Sequence, residues 1–400
     1  MTPLLLPVSV LKTILTGFNK IPWKQSKVAA MRHALVRRAQ GAITLSVTDL
    51  DCHLTYTHRS EPEPITLLAR KLAAMRNAGE TCSFLVPIPG LIEAARSADH
   101  DSAVELAPDK IRFFVQESPI GGSFEAPRTK EFPDAPSITC IQQVMDARAQ
   151  QAIANAFACA SEDPTRLVLQ GAFIGREPAD DPAHTANHVI VGTNGRMLVR
   201  TNSMHFPALN HSFILPAIPL LRSRPLSVLP WNLGFQPGIE QKPGEPYQPK
   251  LHRPPLFLLT AGPWTLVGVA IAGNYPNYKQ VIPLQHPLRV TLASGTEKSF
   301  ADAIDRLPRV GHQPSVTLEL AQGKELTVHS ARNSVTAKGS RCSGGLRIAF
   351  DPDFIALALR MGFSELHLND ALDPAVFTAP GRQFVLMPMR SQTKPVEAKP

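Results

Sequence analysis

The chain of 400 residues repeats one pair of sequence patterns three times. The first pattern is a strand of alternating apolar and polar residues that ends in a polar corner, at residues 42–49, 188–195 and 325–330. The second is a short apolar strand that leads into a helix, at residues 84–96, 213–222 and 348–360. The copies recur at intervals of roughly 140 residues, which is too long for a solenoid repeat and fits three copies of one small domain.

Aromatic-Pro-Asx turns mark the ends of the first two copies. Phe132-Pro133-Asp134 and Tyr275-Pro276-Asn277 have the composition of a turn between a strand and a linker. We therefore predict domains at residues 1–130, 131–283 and 284–390, followed by a disordered tail at 391–400. A stretch rich in Pro and Gly at about 225–255 is predicted to be an exposed insertion in the second domain, because proline at this density cannot join a ladder.

Each copy combines helical and strand periodicities. In the first copy, Val8, Leu11, Leu15 and Phe18 have helical spacing, and residues 34–54 then alternate as strands. Helices are also predicted at about 145–159, and around Phe300 with Ala303, Ile304 and Leu307 at the same kind of spacing. The sequence therefore predicts an α+β fold in which each copy packs two helices on an antiparallel sheet.

The composition narrows the class of protein. With 44% hydrophobic and 18% charged residues, the chain is expected to be a soluble globular protein, and no apolar run reaches the ~18 residues of a membrane span. The amino-terminal segment lacks an export signal, and the five cysteines show no metal-ligand spacing, so we expect a cytoplasmic protein without a metal or cofactor. A net charge of +8 permits contact with a polyanion such as nucleic acid.

No pattern in the chain points to catalysis. The thirteen histidines form no spaced metal motif, and neither a Gly-rich phosphate loop nor a nucleophile elbow is present. Asp49 and Asp51 share a face, but acids at the corner after a strand usually form turns. We therefore expect that the protein is not an enzyme, and a hydrolase remains only the third hypothesis.

Four segments resemble a known family. They are residues 45–51, residues 192–198, residues 274–283 and the carboxyl-terminal Met387-Pro388-Met389-Arg390. Together they are similar to the bacterial replication sliding clamp, the beta subunit of DNA polymerase III. The resemblance implies three repeated DNA-clamp domains per chain and a head-to-tail homodimer that closes into a ring around duplex DNA. It also implies a processivity factor for DNA replication.

The resemblance further implies a groove that receives linear peptides from the polymerase III alpha subunit, the clamp loader and repair polymerases. Leucine, valine and methionine in this set suit an adaptable apolar pocket. The positions that match the groove are Leu169, Thr193, Gly195, Arg196, Met197, Leu198, Pro276, Gln280, Val281, Val385, Met387, Pro388, Met389 and Arg390.

A ring around DNA requires positive charge on its inner helices, because a duplex carries one negative charge per ~1.7 Å of axis. All six predicted helices carry or adjoin a basic residue, so binding should be independent of base sequence. The residues expected to contact DNA are Lys12, Lys20, Lys24, Arg96, Arg148, Arg222, Arg224, Arg306, Arg309 and Arg360.

A second hypothesis comes from the third domain. The strand expected to close the ring reads Arg332, Lys338 and Arg341 where the family has acids. Positive charge there would repel a basic partner edge. The alternative function is therefore a clamp-like monomer that competes for clamp-binding peptides without encircling DNA.

Overall fold

The computed structural model describes residues 3–39, 41–59, 81–116, 118–177, 187–239 and 253–389. These residues form two compact units. The first comprises Met1–Gln150, Pro207–His211 and Ala217–Ala270, and the second comprises Gln151–Phe206, Ser212–Pro216 and Ile271–Pro400.

Strands are the commonest regular element of the described chain, and all of their pairings are antiparallel. In chain order they are β1 (Leu4–Pro7), β2 (His33–Ala39), β3 (Ala42–Thr48), β4 (Cys52–Arg59), β5 (Cys82–Pro87), β6 (Ala103–Ala107), β7 (Lys110–Val115), β8 (Ser118–Ser123), β9 (Gln142–Met145), β10 (Gly171–Glu177), β11 (Asn187–Thr193), β12 (Met197–Met204), β13 (Phe213–Pro216), β14 (Trp231–Gln236), β15 (Leu256–Ala261), β16 (Trp264–Val269), β17 (Leu288–Thr291), β18 (Val316–Leu320), β19 (Thr327–Ser330), β20 (Asn333–Thr336), β21 (Arg341–Cys342), β22 (Leu346–Phe350), β23 (Glu365–Leu368), β24 (Ala375–Ala379) and β25 (Arg382–Leu386).

Six α-helices and five short 3-10 turns occur in the described residues. The helices are α1 (Val8–Phe18), α2 (Ile88–Ser97), α3 (Ala147–Cys159), α4 (Arg224–Ser227), α5 (Glu297–Asp305) and α6 (Pro352–Arg360). The 3-10 turns are Trp23–Gln25, Ala29–Arg32, Thr129–Glu131, Leu167–Leu169 and Tyr278–Val281. Among the described helices, none has the length and apolar character needed to cross a bilayer.

Each unit contains one large and one small sheet. In the first unit the strand orders are β5-β2-β3-β4-β16-β15-β14-β9 and β1-β6-β7-β8. In the second unit they are β13-β10-β11-β12-β25-β24-β23-β17-β21 and β20-β19-β18-β22. Each large sheet joins strands that are distant in sequence, because β4 pairs with β16 and β12 pairs with β25.

Helix α1 shows how the helices cover the sheets. Its buried face contains the predicted Val8, Leu11, Leu15 and Phe18, which recur at helical spacing. Gly17 lets this face approach the large sheet closely, since a β-carbon there would lie 2.5 Å from the Trp264 ring. A larger residue at this position would therefore force the helix away from the sheet.

The strand-to-helix pattern is confirmed in the first and third copies and is wrong in the second. Strand β5 leads into α2, and β22 leads into α6. After β13, however, the predicted helix at 218–222 is a series of turns, and only α4 is helical. A proline at position 225 of the sequence explains this, because proline has no backbone N–H with which to continue a helix from 218.

Two predicted boundaries also need correction. The helix expected at about 145–159 begins at Ala147, because Met145 belongs to β9 and the Asp146 carboxylate accepts from the Ala149 N–H at 2.7 Å. The insertion predicted at about 225–255 begins later than expected, because α4 and the proline-free strand β14 occupy the first half of that range. Part of the remainder, residues 240–252, lies outside the described residues, as does the tail at 391–400.

Candidate functional site

The turn between β11 and β12 is built by two polar side chains. The Thr193 hydroxyl donates to the Met197 carbonyl at 2.6 Å and accepts from the Gly195 N–H at 3.0 Å. The Asn194 carboxamide oxygen accepts from the N–H groups of Arg196 and Met197 at 2.9 and 3.0 Å. Gly195 has a φ of +87°, a conformation that favours glycine. The sequence of this turn therefore fixes its shape.

Strand β25 pairs with β12 and brings the end of the described chain to this turn. Leu198 lies opposite Val385 in the ladder. Just beyond the ladder, the Met387 N–H donates to the Arg196 carbonyl at 2.9 Å. Two segments far apart in sequence thus form one apolar surface.

The segment at residues 274–283, which follows β16 and which we call the linker, forms the opposite wall of this surface. The Tyr275 ring stacks on Phe173 with a centroid distance of 4.8 Å and an interplanar angle of 15°. The Tyr278 hydroxyl donates to the Glu177 carboxylate. These aromatic contacts place Pro276 and Val281 beside β12 and β25, where they line the same cavity.

Between these walls lies an open cavity of about 130 Å³, which we call the groove. Ten of the predicted groove residues line it, and so do two that the sequence did not predict, Asn277 and Tyr278. The ten are Leu169, Thr193, Gly195, Arg196, Met197, Leu198, Pro276, Val281, Val385 and Met387. Most of the lining is apolar, as a pocket for aliphatic or aromatic side chains requires.

Three other predicted groove residues do not line the cavity. Gln280 is exposed on the 3-10 turn of the linker. Pro388 and Met389 follow β25 and are half-buried, and the Met389 N–H donates to the Ala349 carbonyl at 2.7 Å. Arg390 lies outside the described residues.

A buried carboxylate supports the linker wall. Glu177 is only 7% exposed, and it accepts from Arg200 Nε at 3.3 Å and from the Tyr278 hydroxyl. Burial alone would raise the pKa of Glu177, but the hydrogen bonds from Arg200 and Tyr278 hold the pKa below its ordinary value. Burial, reinforced by the bond to Glu177, raises the pKa of Tyr278. The carboxylate is therefore charged and the phenol neutral around pH 7.

The residues expected to contact DNA are all exposed, but their ion pairing differs. Arg360 lies 3.1 Å from Asp302 and also pairs with Asp305. Arg309 lies 3.4 Å from Asp305 and 2.7 Å from Asp353. No ion pair within the described part of the chain involves Lys12, Lys20, Lys24, Arg96, Arg224 or Arg306. Arg148 and Arg222 are exposed as well.

The prediction that three basic residues of the third copy share one strand is wrong. Arg332 and Lys338 flank β20, whereas Arg341 belongs to β21 in the other sheet of the second unit. Gly339, at a φ of +75°, turns the chain between them. An acid is also close, since Glu325 accepts from the Gly339 N–H at 2.6 Å.

The corner acid Asp49 forms a turn, as predicted. Its carboxylate accepts from the Cys52 N–H at 2.7 Å. Across the described ranges, the structure has no group of three or more His, Cys, Asp or Glu side chains arranged to hold a metal ion.

Comparison with solved structures gives the fold a class. A sliding clamp (DNA polymerase III subunit beta) from Bartonella birtlesii, bound to griselimycin, aligns with a TM-score of 0.77 and 17% identity over 98% of this chain and 100% of its own. The sliding clamp of Caulobacter crescentus aligns with a TM-score of 0.75 and 18% identity over 98% of this chain and all of its own. The DNA polymerase III subunit beta from Pseudomonas aeruginosa gives a TM-score of 0.71 and 17% identity over 97% and 100%.

The chain thus has the fold of the bacterial DNA polymerase III beta sliding clamps, and the predicted α+β class is confirmed. No protein-family model matches the sequence, and no curated protein matches it. The likeness is one of fold over nearly the full length of each chain, at low sequence identity.

Proposed function

We propose that this protein is a DNA sliding clamp, a processivity factor of DNA polymerase III that encircles duplex DNA and tethers its partners through the groove. The groove carries the proposal, because its lining residues come from β12, β25 and the linker and leave an apolar cavity open at the surface. The fold match over 98% of the chain supports the same function. It does not favour a monomeric competitor for clamp-binding peptides.

The groove suits an extended peptide with two large apolar side chains. Met197 and Met387 provide flexible thioethers, and Leu198 and Val385 provide a firm base. Burying one leucine- or phenylalanine-sized side chain is worth roughly 1.5–3 kcal/mol, so two can support micromolar affinity after ordering costs. We infer that the partners are the polymerase III alpha subunit, the clamp loader and repair polymerases, each through such a peptide.

Two edge strands support closure of two copies into a head-to-tail ring. In the described chain, each small sheet ends on a strand with one unpaired side, β8 in the first unit and β20 in the second. Unpaired strand edges are templates for pairing with another chain. Arg332 and Lys338 flank β20, and exposed Glu125 follows β8, so the two edges have complementary charge. Pairing of β8 in one copy with β20 in the next would close a ring after two such contacts.

Within this proposal, each copy has three clamp domains at residues 1–130, 131–283 and 284–390, is not an enzyme, and works in the cytoplasm. The corners at Thr48 and Thr193 support the repeat, since both hydroxyls donate to the carbonyl four residues later, at 2.8 and 2.6 Å. The exposed basic residues would attract the DNA backbone without reading bases.

Encirclement can be tested by topology. The protein is incubated with nicked circular DNA and passed over a sizing column in high salt, and the retained complex is then cut once with a restriction enzyme. We expect retention on the circle, release after cutting, and a free protein of about twice the 43.5 kDa chain in sedimentation. Equal retention on linear and circular DNA, or the mass of a single chain, would contradict the proposal.

A further inference from the structure

One ion-pair network, centred on the buried Glu177, connects the elements that form the groove. Glu177, the last residue of β10, pairs with Arg200 of β12 and lies 3.5 Å from Lys279 Nζ in the linker. The Arg200 Nη1 group also donates to the Gln383 carboxamide oxygen of β25 at 3.1 Å. Because Tyr278 donates to the same carboxylate, the network joins the strand side of the groove to its linker side.

The linker wall depends on side chains for its position. Its backbone hydrogen bonds among the described residues are local, such as Tyr278 N–H to the Pro276 carbonyl at 2.8 Å and Ile282 N–H to the Lys279 carbonyl at 3.3 Å. Neither bond reaches the sheet. The links to the sheet include the Tyr275 ring on Phe173 and the Tyr275 hydroxyl, which donates to the Val191 carbonyl at 3.5 Å. The Tyr278 hydroxyl and the Lys279 ammonium both contact Glu177. Of these two tyrosine rings, only that of Tyr278 lines the groove.

We propose that Glu177 is a positioning residue of the groove, which holds the Tyr278 ring and the adjoining linker at the separation from β12 and β25 that keeps the cavity open to a peptide. This inference rests on the proposed peptide-binding function. Glu177 itself contacts no ligand, since it is absent from the cavity lining. Its effect on binding passes through Tyr278.

A carboxylate suits this position better than an amide. Hydrogen bonds to a charged acceptor are shorter and stronger than those between neutral groups. Arg200 supplies the opposite charge that allows the carboxylate to stay ionised while buried. An amide at 177 would set its N–H₂ group against Arg200 Nη2 or, in the other orientation, against Arg200 Nε, so one hydrogen bond from Arg200 is broken either way. The Tyr278 hydroxyl, which can donate or accept, would lose its charged partner and with it the stronger form of its bond.

The test compares Tyr278→Phe, Glu177→Gln and the double variant. Tyr278→Phe keeps the ring and the Glu177–Arg200 pair, so it avoids leaving a buried guanidinium unpaired. Binding is measured by calorimetry with a peptide that has a glutamine followed by spaced Leu and Phe side chains. Glu319→Gln is the control, because it removes the same charge from an ion pair with Arg347 elsewhere in the second unit.

We expect each single variant to weaken peptide binding by roughly tenfold, the effect of one hydrogen bond to a charged group. The double variant should bind about as weakly as either single variant, since the two residues act as one unit. Glu319→Gln should bind like wild type. In ring-labelled protein with four tyrosines, the resonance that disappears in Tyr278→Phe should also shift in Glu177→Gln without peptide.

Other results would separate a failure of the positioning role from a failure of the proposed function. Wild-type affinity in Tyr278→Phe, additive losses in the double variant, or an unshifted Tyr278 resonance in Glu177→Gln would overturn the positioning role and leave the proposed function intact. A wild-type protein that binds no such peptide would overturn both.

Discussion

Met387 offers the sharpest test of the groove. Its side chain lines the cavity, and its backbone N–H is already bonded to the Arg196 carbonyl. Substitution by alanine therefore removes the thioether from the pocket without removing a backbone hydrogen bond. The ladder between β12 and β25 should be unchanged.

The size of the effect follows from the burial of this residue. Complete burial of a methionine side chain is worth about 1.5–3 kcal/mol, and Met387 is already partly buried in the free protein. The peptide would bury the part that is still exposed, which is at most about a third of the residue. Met387→Ala should then cost about 0.5–1 kcal/mol of binding free energy, or roughly two- to fivefold in the dissociation constant.

Calorimetric titration of wild type and variant with the same peptide measures this change. Met361→Ala is a matched control, because Met361 is also partly buried in the second unit but does not line the groove. The melting temperature and the sedimenting mass of Met387→Ala should match those of wild type. Equal affinity in Met387→Ala and wild type would refute the assignment of the groove.

Three further predictions concern assembly, DNA binding and acid stability. Ile120→Asp places a charge on β8 at a residue that is 47% exposed, and should lower the dimer fraction in sedimentation, whereas Leu372→Asp, at 79% exposure outside the edge strands, should not. A plot of the logarithm of the DNA-binding constant against the logarithm of the salt concentration should become shallower by about one unit of slope for each phosphate-binding cation that is removed. This change in slope should be smaller for the ion-paired Arg360 than for each of Lys12, Lys24 and Arg96. Because the pKa of Glu177 lies below its ordinary value of 4.5, its ionised form stabilises the fold above that pH, and this contribution is lost as the pH falls through the lowered pKa. Urea titrations should therefore show a shallower loss of unfolding free energy below pH 4.5 in Glu177→Gln than in wild type.

The sequence predicted the groove residues that lie close together in the chain, but it did not predict the long-range contacts of Glu177 that hold the linker. Thr193, Gly195 and Leu198 form a contiguous motif, so their turn could be anticipated from residue types alone. Tyr278 also lies inside a recognised segment, but its role depends on Glu177, 101 positions away. Glu177 and Arg200 stand out as charged residues in strands that are mostly buried. That placement indicates a buried pair, although periodicity does not identify the partners.

The basic helices show a similar limit. Counting cations predicted equal roles for all ten residues, whereas the structure gives Arg309 and Arg360 acidic neighbours. One pairing is local in sequence, because Asp305, the last residue of α5, and Arg309 are four residues apart. The pairing of Arg360 with Asp302 was not visible, since α5 and α6 meet only in the folded unit.

The corners at Thr48 and Thr193 have the same backbone conformation but different residues at the position with positive φ. At Thr48 and at Thr193, the hydroxyl accepts from the N–H two residues later, at 3.1 and 3.0 Å, and that later residue has a φ of +81° or +87°. The first corner has Leu50 at this position, and the second has Gly195. A β-carbon at Gly195 would lie 3.0 Å from the Arg166 guanidinium. Leucine adopts the left-handed conformation at position 50 with a side chain that is 60% exposed. The neighbour of a β-carbon at 195 would be the end of the flexible, half-exposed Arg166 side chain, so glycine there is explained by backbone conformation and not by close packing.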